Sequence, residues 1–423
     1  MQEPIADRKD YIPQFSMVER DRRWRVVREE MLLHKLDCLL IFGSDRTVGI
    51  GEANLRYLTH VGTQRFGGIC IFPLAGNPKV FIIGLVPGHY DRPFPLHKAF
   101  QDWLSPEEDI KVYVGMPALI DLLKELGYEK GAIGLVDSAV ESWGRTITYE
   151  DYNTLVTELP QAKVVDATAL LEKARMIKSA EEIKFLQRAA EIARLKIDSL
   201  IAASTIGAKE CEVYAKMVET DIANGGEPYI FNFLTSGSVT EPYRQHLLHG
   251  KMTPLAPTIR ELREGDLIIS EFHTGYGGYL AAAEKSVFIG KPPPELQRVH
   301  DVAVAALKSG MEKMRPGVTV LEVWEAMYKP LQEAAIDFLE LGIHGHGLRS
   351  PEIPWINYEP RTPDEQAMGN MELRENMTFG TQLDIYDQNW RDDVGVMLGN
   401  TIWITKDGAQ DLVGAPLELT CKE

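Results

Sequence analysis

The way in which apolar segments follow one another changes midway along the chain. Up to about residue 170, short apolar runs such as CLLIFG (38–43) and GGICIFPL (67–74) alternate with helix-like segments such as PALIDLLKELGY (117–128). This alternation is typical of an α/β domain. Beyond it, strand-like and helix-like segments come in separate blocks, which indicates an α+β domain. The sequence therefore predicts two domains of different classes.

The boundary between these domains is predicted from a helix start. Ser179 precedes a long helix-like segment, and Glu182 stands three residues later, as in a capping box. We therefore expect an α/β domain over residues 1–173 and an α+β domain over residues 174–423. In the second domain, three strand-like runs are expected near the end, at 342–348, 377–386 and 396–405.

Composition excludes several classes of protein. The 423 residues include 45 Lys and Arg against 62 Asp and Glu, a net charge of -17, which repels nucleic acids. No apolar stretch reaches the 18 residues that a membrane span requires. The beginning of the sequence has no apolar leader, and the four cysteines form no C-x-x-C pair. We expect a cytoplasmic protein that binds neither nucleic acid nor membrane.

Common catalytic motifs do not explain this chain. The sequence has no G-x-S-x-G, no H-E-x-x-H and no phosphate-binding P-loop. Its GYGG (275–278) lies between two strand-like runs, and a hairpin turn is the expected structure there. Any chemistry must come from other residues.

Several ordered blocks resemble the pita-bread superfamily of aminopeptidase P, prolidase, methionine aminopeptidase and creatinase. NLRYLTHVG (54–62) is similar to the N-terminal domain of the creatinase and prolidase branch. The other blocks are RMIKSAEEI (175–183), EGDLIISEFHTGYGGYLAAAEKSVFIG (264–290), RPGVTVLEV (315–323), IHGHGLRSPEIP (343–354), LRENMTFGTQLDIY (373–386) and DVGVMLGNTIWITKDGA (393–409). The resemblance implies a creatinase/prolidase-like N-terminal α/β domain followed by an α+β pita-bread catalytic domain.

Peptidases of this superfamily hold two metal ions with two Asp, one His and two Glu. The matching positions here are Glu271, Ala282, His344, Gln382 and Gly399. Two dications that share a site require several anionic oxygens. Of the five ligands only Glu271 and His344 remain, and only Glu271 has anionic oxygens, so a two-metal peptidase is not expected, and we expect no metal cofactor.

Two alternatives at this site stay open. If the loop slides by two residues, His346 takes the place of His344. A single metal held by Glu271, His344 and a further ligand outside the pattern is the other alternative, because catalytic metal sites usually use three protein ligands.

Creatinase is the branch of the superfamily that lost its metals, and this sequence resembles it. The creatinase glutamate that contacts the guanidinium of creatine matches Glu284, and the arginine that reaches the substrate carboxylate from the partner subunit matches Arg65. Both types of contact suit charged, planar groups. The alternatives are that Glu284 only pairs with a neighbouring Lys or Arg, and that Arg65 is a solvated loop residue.

The catalytic base is less clear, because the creatinase position for its histidine is a proline here. His249 and His246 lie in the neighbouring segment, and His344 is the candidate if neither enters the site. Histidine suits the role because its ordinary pKa lies near neutrality. Glu352, Arg349 and Gln382 are further candidates for substrate binding.

The resemblance implies a metal-independent hydrolase that cleaves a C–N bond in a small cationic or zwitterionic nitrogen compound. Glu271 and Glu284 would orient the cationic part, and either carboxylate could instead act as a nucleophile, as considered for ectoine hydrolase. A homodimer in which the N-terminal domain closes the partner's site is also implied. The alternatives are a catalytically inactive binding protein and an atypical metal-dependent Xaa-Pro dipeptidase.

Overall fold

The structure of the protein is a computed structural model. It describes residues 13–43, 51–61, 67–83, 103–105, 108–137, 147–227, 231–240 and 257–423. The chain divides into two compact units, Met1–Arg175 and Met176–Glu423.

Within its described residues, the first unit contains a six-stranded sheet and helices. Its helices are α1 (Met17–Leu33), α2 (Ala53–Thr59), α3 (Met116–Glu125), α4 (Tyr149–Glu158) and α5 (Thr168–Arg175). Its strands are β1 (Cys38–Gly43), β2 (Gly68–Pro73), β3 (Lys79–Ile82), β4 (Ile110–Val112), β5 (Ala132–Val136) and β6 (Lys163–Asp166).

The strand order in this sheet is β4-β3-β2-β1-β5-β6. Strand β1 is antiparallel to β2 and parallel to β5, so the sheet is mixed. Leu40, Phe42 and Ile71 of the sheet are buried in one core with Leu119 and Leu123 of α3. The apolar runs predicted as strands therefore form the centre of an α/β unit.

In the part that the structure describes, the second unit contains two sheets and the long helices. Its helices are α6 (Ala180–Ala203), α7 (Glu210–Ala223), α8 (Pro294–Lys313), α9 (Val320–Ala334) and α10 (Pro363–Gly369). Its strands are β7 (Asn232–Ser238), β8 (Asp266–Tyr276), β9 (Tyr279–Ile289), β10 (Asp337–Gly345), β11 (Glu352–Ile356), β12 (Thr378–Tyr386), β13 (Gly395–Leu398), β14 (Thr401–Thr405), β15 (Gly408–Asp411) and β16 (Thr420–Lys422).

Helix α6 begins where the sequence predicts it. The Ser179 side chain accepts a hydrogen bond from the Glu182 N–H, and the Glu182 carboxylate accepts one from the Ser179 N–H. This reciprocal pair satisfies two N–H groups that a helix start otherwise leaves unpaired. The predicted capping box is confirmed.

The two sheets of the second unit have the orders β16-β9-β8-β7 and β11-β10-β12-β14-β15, with β13 paired to β12. Strands β8 and β9 form a hairpin with Gly277 and Gly278 at its turn, both at positive φ, which glycine adopts without strain. The predicted hairpin turn is therefore confirmed. The run predicted as one strand at 396–405 is two strands, β13 and β14, separated at Gly399 and Asn400.

One core of this unit lies between the sheet that contains β10 and β12 and helices α8 and α9. Leu341, Leu383 and Phe379 of the sheet are fully buried there with Val323 and Leu307 of the helices. These strand residues occupy odd positions, and alternate residues of a strand point to opposite faces of the sheet. The even positions of β10 and β12 therefore face away from the helices, toward β8 and β9.

None of the helices in the described part of the chain combines the length and apolar character that a bilayer crossing needs.

Candidate functional site

Two acidic side chains face each other across the β8–β9 hairpin. Glu271 of β8 and Glu284 of β9 are direct partners in the strand register, and they are 5% and 3% exposed. Side chains on directly opposed residues of antiparallel strands lie next to each other. Together with four neighbours they define the candidate site, which consists of Glu271, His273, Glu284, His344, His346 and Gln382.

Strand β12 supplies a hydrogen-bond donor to each carboxyl. The Gln382 amide Nε2 donates to Glu271 Oε1 at 3.1 Å, and the Leu383 N–H donates to Glu284 Oε2 at 3.2 Å. Burial, together with the neighbouring carboxyls of Glu271 and Glu340, raises the pKa of Glu284 well above its ordinary value. A cation placed between the two carboxyls would reduce this unfavourable accumulation of like charge.

Gly399 leaves the space that the Glu284 carboxyl occupies. The Glu284 N–H donates to the Gly399 carbonyl at 2.9 Å, which joins the two sheets at this point. A Cβ atom at Gly399 would lie 2.1 Å from the Thr381 carbonyl oxygen and 2.8 Å from Glu284 Oε2. No side chain fits at this position while the backbone and Glu284 stay where they are.

The residues present do not fit a pair of metal ions. Ala282 has no donor atom, Gly399 has no room for a side chain, and the Gln382 amide donates its N–H to Glu271. Among the described residues, no group of three or more His, Cys, Asp or Glu side chains is arranged to hold a metal ion. A dinuclear centre that needs several bridging carboxylates therefore has too few anionic oxygens here.

Three histidine rings lie side by side next to the carboxyl pair. The rings of His344 and His346 are stacked, with centroids 5.6 Å apart, and His273 meets His346 edge-on at 5.7 Å. Phe231 lies 5.4 Å from His273, and His273 Nε2 is 4.0 Å from Glu271 Oε1, beyond hydrogen-bonding distance. The histidines thus continue the line of polar side chains that begins at the carboxyl pair.

Burial keeps these imidazoles neutral. It lowers the pKa of His344, partly offset by hydrogen bonds to the Gly345 carbonyl and to Gln382. It lowers the pKa of His273 to about 3, with further contributions from His344 and Lys196. A neutral imidazole has one nitrogen that accepts a proton, so the ring of His344 is in the form that a general base requires.

Two further predicted binding residues, Glu352 and Arg349, follow His346 in the chain and make internal contacts. Glu352 Oε2 pairs with Lys178 Nζ at 2.8 Å, and both side chains are buried. Arg349 Nε donates to the Pro351 carbonyl at 2.9 Å and is also buried. Removing either partner of such a pair would leave the other charge buried and uncompensated. Glu352 and Arg349 therefore shape the loop beside the candidate site.

The structure thus brings together Glu271, Glu284, His344 and Gln382, four of the residues selected from the sequence. The alternative placement of His346 does not replace His344, because both rings lie in the same site. Arg65, His246 and His249 lie outside the described residues.

The sequence analysis missed His273 of the site and two carboxyls that neighbour Glu284, those of Glu340 and Asp384. His273 follows Glu271 by two residues, and Glu340 precedes His344 by four, so the two-residue period of a strand puts each on the same face as a selected residue. Glu340 is the register partner of Asp384 across β10 and β12. Applying that period to each block would have found them.

Comparisons with known proteins agree with this architecture. Residues 184–406 match the model of metallopeptidase family M24, and residues 23–177 match the creatinase/prolidase N-terminal domain. The structure of a dipeptidase from Mycobacterium ulcerans superimposes with a TM-score of 0.72 at 21% identity, over 96% of this chain and 99% of that one. The predicted pita-bread superfamily and the predicted fold class are confirmed.

Two curated relatives match almost the full length of the chain. An uncharacterised hydrolase/peptidase of Sinorhizobium fredii is 25% identical over 96% of this chain and 97% of its own length. Ectoine hydrolase of Halomonas elongata is 24% identical over 95% of this chain and 96% of its own length. Since the family model covers more than half of the sequence, the chain belongs to metallopeptidase family M24 and is a hydrolase of that family.

Proposed function

We propose that this protein is a metal-independent hydrolase of a C–N bond in a small cationic or zwitterionic nitrogen compound. Its action would be creatinase-like or ectoine-hydrolase-like. The observation that carries the proposal is the buried pair of Glu271 and Glu284, directly opposed across β8 and β9. Two buried carboxyls on directly opposed residues concentrate negative charge at one point, which suits a ligand that brings its own positive charge.

The amide contacts of β12 support this role for the carboxyl pair. Gln382 and the Leu383 N–H each donate one hydrogen bond, to Glu271 and Glu284 respectively. A carboxylate can accept several hydrogen bonds, so one donor from β12 is compatible with further N–H groups from a cationic ligand. A planar amidinium or guanidinium presents parallel N–H donors of the kind that bind carboxylates in pairs.

Hydrolysis also requires a group that takes a proton from water. His344 is a candidate within the described residues, since its ring is neutral and lies next to Gln382. The base would accept the water proton as the oxygen attacks the carbon of the C–N bond, and would return it to the leaving nitrogen. His249 and His246 remain alternative bases.

We also propose that the enzyme acts in the cytoplasm as a homodimer. In this arrangement Arg65 of one subunit would hold a substrate carboxylate in the other subunit's site. Arginine suits this contact because its planar guanidinium binds carboxylates through two parallel hydrogen bonds. The four cysteines are free thiols in the structure, and free thiols are common in reducing compartments.

A metal-dependent Xaa-Pro dipeptidase is the second candidate. It is favoured by the family model, which is that of a metallopeptidase, and by the similarity of the fold to a solved dipeptidase. The donor set argues against it, because two of the five ligand positions are Ala282 and Gly399.

The test is a substrate screen of the full-length protein after treatment with EDTA. Creatine, guanidino acids, ectoine, betaine-like compounds and Xaa-Pro dipeptides are supplied, and the release of ammonia, urea or new amines is measured. We expect turnover of a small nitrogen compound that EDTA does not reduce. A parallel screen after addition of Mn, Co or Zn, with metal content measured on the purified protein, is the control.

Two results would overturn the proposal. Dipeptide cleavage that appears only after metal addition would establish the peptidase instead. Binding of a small nitrogen compound without turnover under either condition would indicate an inactive binding protein.

A further inference from the structure

The ring of His346 is the most enclosed polar group of the candidate site. Its side chain is 0% exposed, and neither Nδ1 nor Nε2 has a hydrogen-bond partner within the ranges that the structure describes. Leaving a buried donor or acceptor without a partner costs about 1–3 kcal/mol for each group. A protein interior rarely retains such a ring unless something else completes its hydrogen bonds.

The position of His346 is well determined by its surroundings. Its N–H donates to the Thr378 carbonyl at 2.9 Å, and its carbonyl accepts a hydrogen bond from Thr378 Oγ1 at 2.5 Å. The ring lies between His344 and His273, and a Cβ atom at Gly380 would be only 2.8 Å from its Nδ1. These contacts hold the ring from the backbone and from both sides without using its nitrogens.

The neutral ring offers one donor and one acceptor. Burial, with smaller contributions from His344, His273 and Lys178, lowers the pKa of His346 well below its ordinary value. A neutral imidazole pairs with a group such as a carbonyl or amide, which accepts or donates without carrying charge. A cation is held more strongly by the two carboxyls nearby than by this ring.

His273 links this ring to the carboxyl pair. It lies edge-on to His346 on one side and has its Nε2 4.0 Å from Glu271 Oε1 on the other. His346 is therefore one ring away from the carboxyl pair, in a continuous row of buried polar side chains. A small molecule with a charged end and a neutral polar end would match the two ends of this row.

We propose that His346 is a substrate-binding residue whose ring nitrogens hydrogen-bond to a carbonyl or amide group beside the cationic nitrogen that Glu271 and Glu284 hold. The inference deepens the proposed function and rests on it for the identity of the cationic end. It assigns the ligand class as a small compound that carries a carbonyl-type oxygen next to a positively charged nitrogen.

The test observes the ring directly by NMR on full-length protein labelled with ¹⁵N-histidine. The His346 signals are assigned by their loss in His346→Gln, and the probes are acetamide, glycinamide, which carries an amide and a cationic amine, and guanidinium chloride. We expect the ring nitrogens of His346 to shift with acetamide or glycinamide at concentrations of up to about 100 mM, and to respond least to guanidinium. Absence of any shift with all three probes would overturn the inference.

Variants then separate binding from folding. His346→Leu removes both nitrogens and is expected to weaken probe binding about 10-fold, with His346→Gln, which retains a donor and an acceptor, in between. The matched control is His300→Leu, since His300 is also 0% exposed with no partner for either ring nitrogen in the described part of the chain. Equal weakening in the two leucine variants, or none in His346→Leu, would contradict the inference.

The result of the His346 binding test does not depend on whether the substrate screen finds the proposed hydrolysis. If His346 shifts and its leucine variant loses affinity while no compound is turned over, the binding residue stands and the proposed function fails. If a compound is hydrolysed and His346→Leu retains its KM, the proposed function stands and this inference fails.

Discussion

Glu284 determines both the charge and the shape of the candidate site at its position in β9. Its carboxyl fills the space beside Gly399, accepts the Leu383 N–H and faces Glu271. At the residue scale, the candidate site therefore depends on the charge of a group that burial tends to protonate. Replacing Glu284 by glutamine removes the charge and keeps the shape of the side chain. This change tests whether the charge binds a ligand or stabilises the fold.

For Glu284→Gln, we expect the protein to fold with unchanged or higher thermal stability. The amide is close in shape and can still accept the Leu383 N–H, and a neutral group is cheaper to bury. We expect kcat/KM for the small nitrogen substrate to fall by about 100-fold, the value of a lost charge-assisted contact of about 3 kcal/mol. The variant is compared with Glu312→Gln on the exposed surface of α8. Full activity in Glu284→Gln would contradict an anchoring role.

Helix α8 carries a buried histidine that makes stability depend on pH. His300 is fully buried, and burial, with Lys285 nearby, lowers its pKa to about 4, while Asp301 and Glu418 act in the opposite direction. The unfolded chain binds a proton on this residue near its ordinary pKa of 6.5, whereas the folded chain does not. The free energy of unfolding therefore rises with pH between about pH 4 and 6.5, and this contribution is lost as the pH falls.

In His300→Leu, we expect this slope to flatten. The loss of stability on going from neutral pH to about pH 4 should be smaller than in the unchanged protein by up to about 3 kcal/mol. Urea unfolding at a series of pH values measures this pH dependence of the free energy of unfolding. The reference variant is His34→Gln, at an exposed position. An identical slope in His300→Leu and the unchanged protein would mean that other groups cause the dependence.

At the scale of elements, much of the fold follows from local sequence, but the breaks between strands do not. The Ser179 capping box predicts the start of α6, and Gly277 and Gly278 predict the β8–β9 turn. A turn centred there makes residues 271 and 284 partners, so the carboxyl pair was within reach of sequence reasoning. The break between β13 and β14 was not, because it occurs where Gly399 contacts β9, more than 100 residues earlier.

At the scale of the whole molecule, the two-domain organisation and the family follow from ordered motifs along the chain. The burial of His346 does not, because it results from packing between strands and a loop that are distant in sequence. Sequence reasoning selected His346 only as a substitute for His344. The structure instead places both rings in one site, together with His273.

The proposed dimer is testable on the intact protein. Size-exclusion chromatography with light scattering should give a mass of two chains. Arg65→Ala is then expected to raise KM about 10-fold for a substrate that carries a carboxylate, because a charged hydrogen bond is lost, and to leave kcat nearly unchanged. The KM and kcat of Arg65→Ala are compared with those of a control variant, Arg20→Ala on helix α1. A monomeric mass would remove the role proposed for Arg65.

The contact between Glu284 and Gly399 also limits which amino-acid substitutions position 399 can accept. A glutamate introduced at position 399 would place its Cβ against the Thr381 carbonyl and the Glu284 carboxyl. Replacing Glu284 would relieve only the second of these contacts, and it would also remove the anchor on which the proposed activity depends. A carboxylate at position 399 therefore requires a shift of the β12 backbone as well as the loss of Glu284. A sequence like this one cannot acquire a dinuclear ligand set through one substitution at a time without first losing the proposed activity.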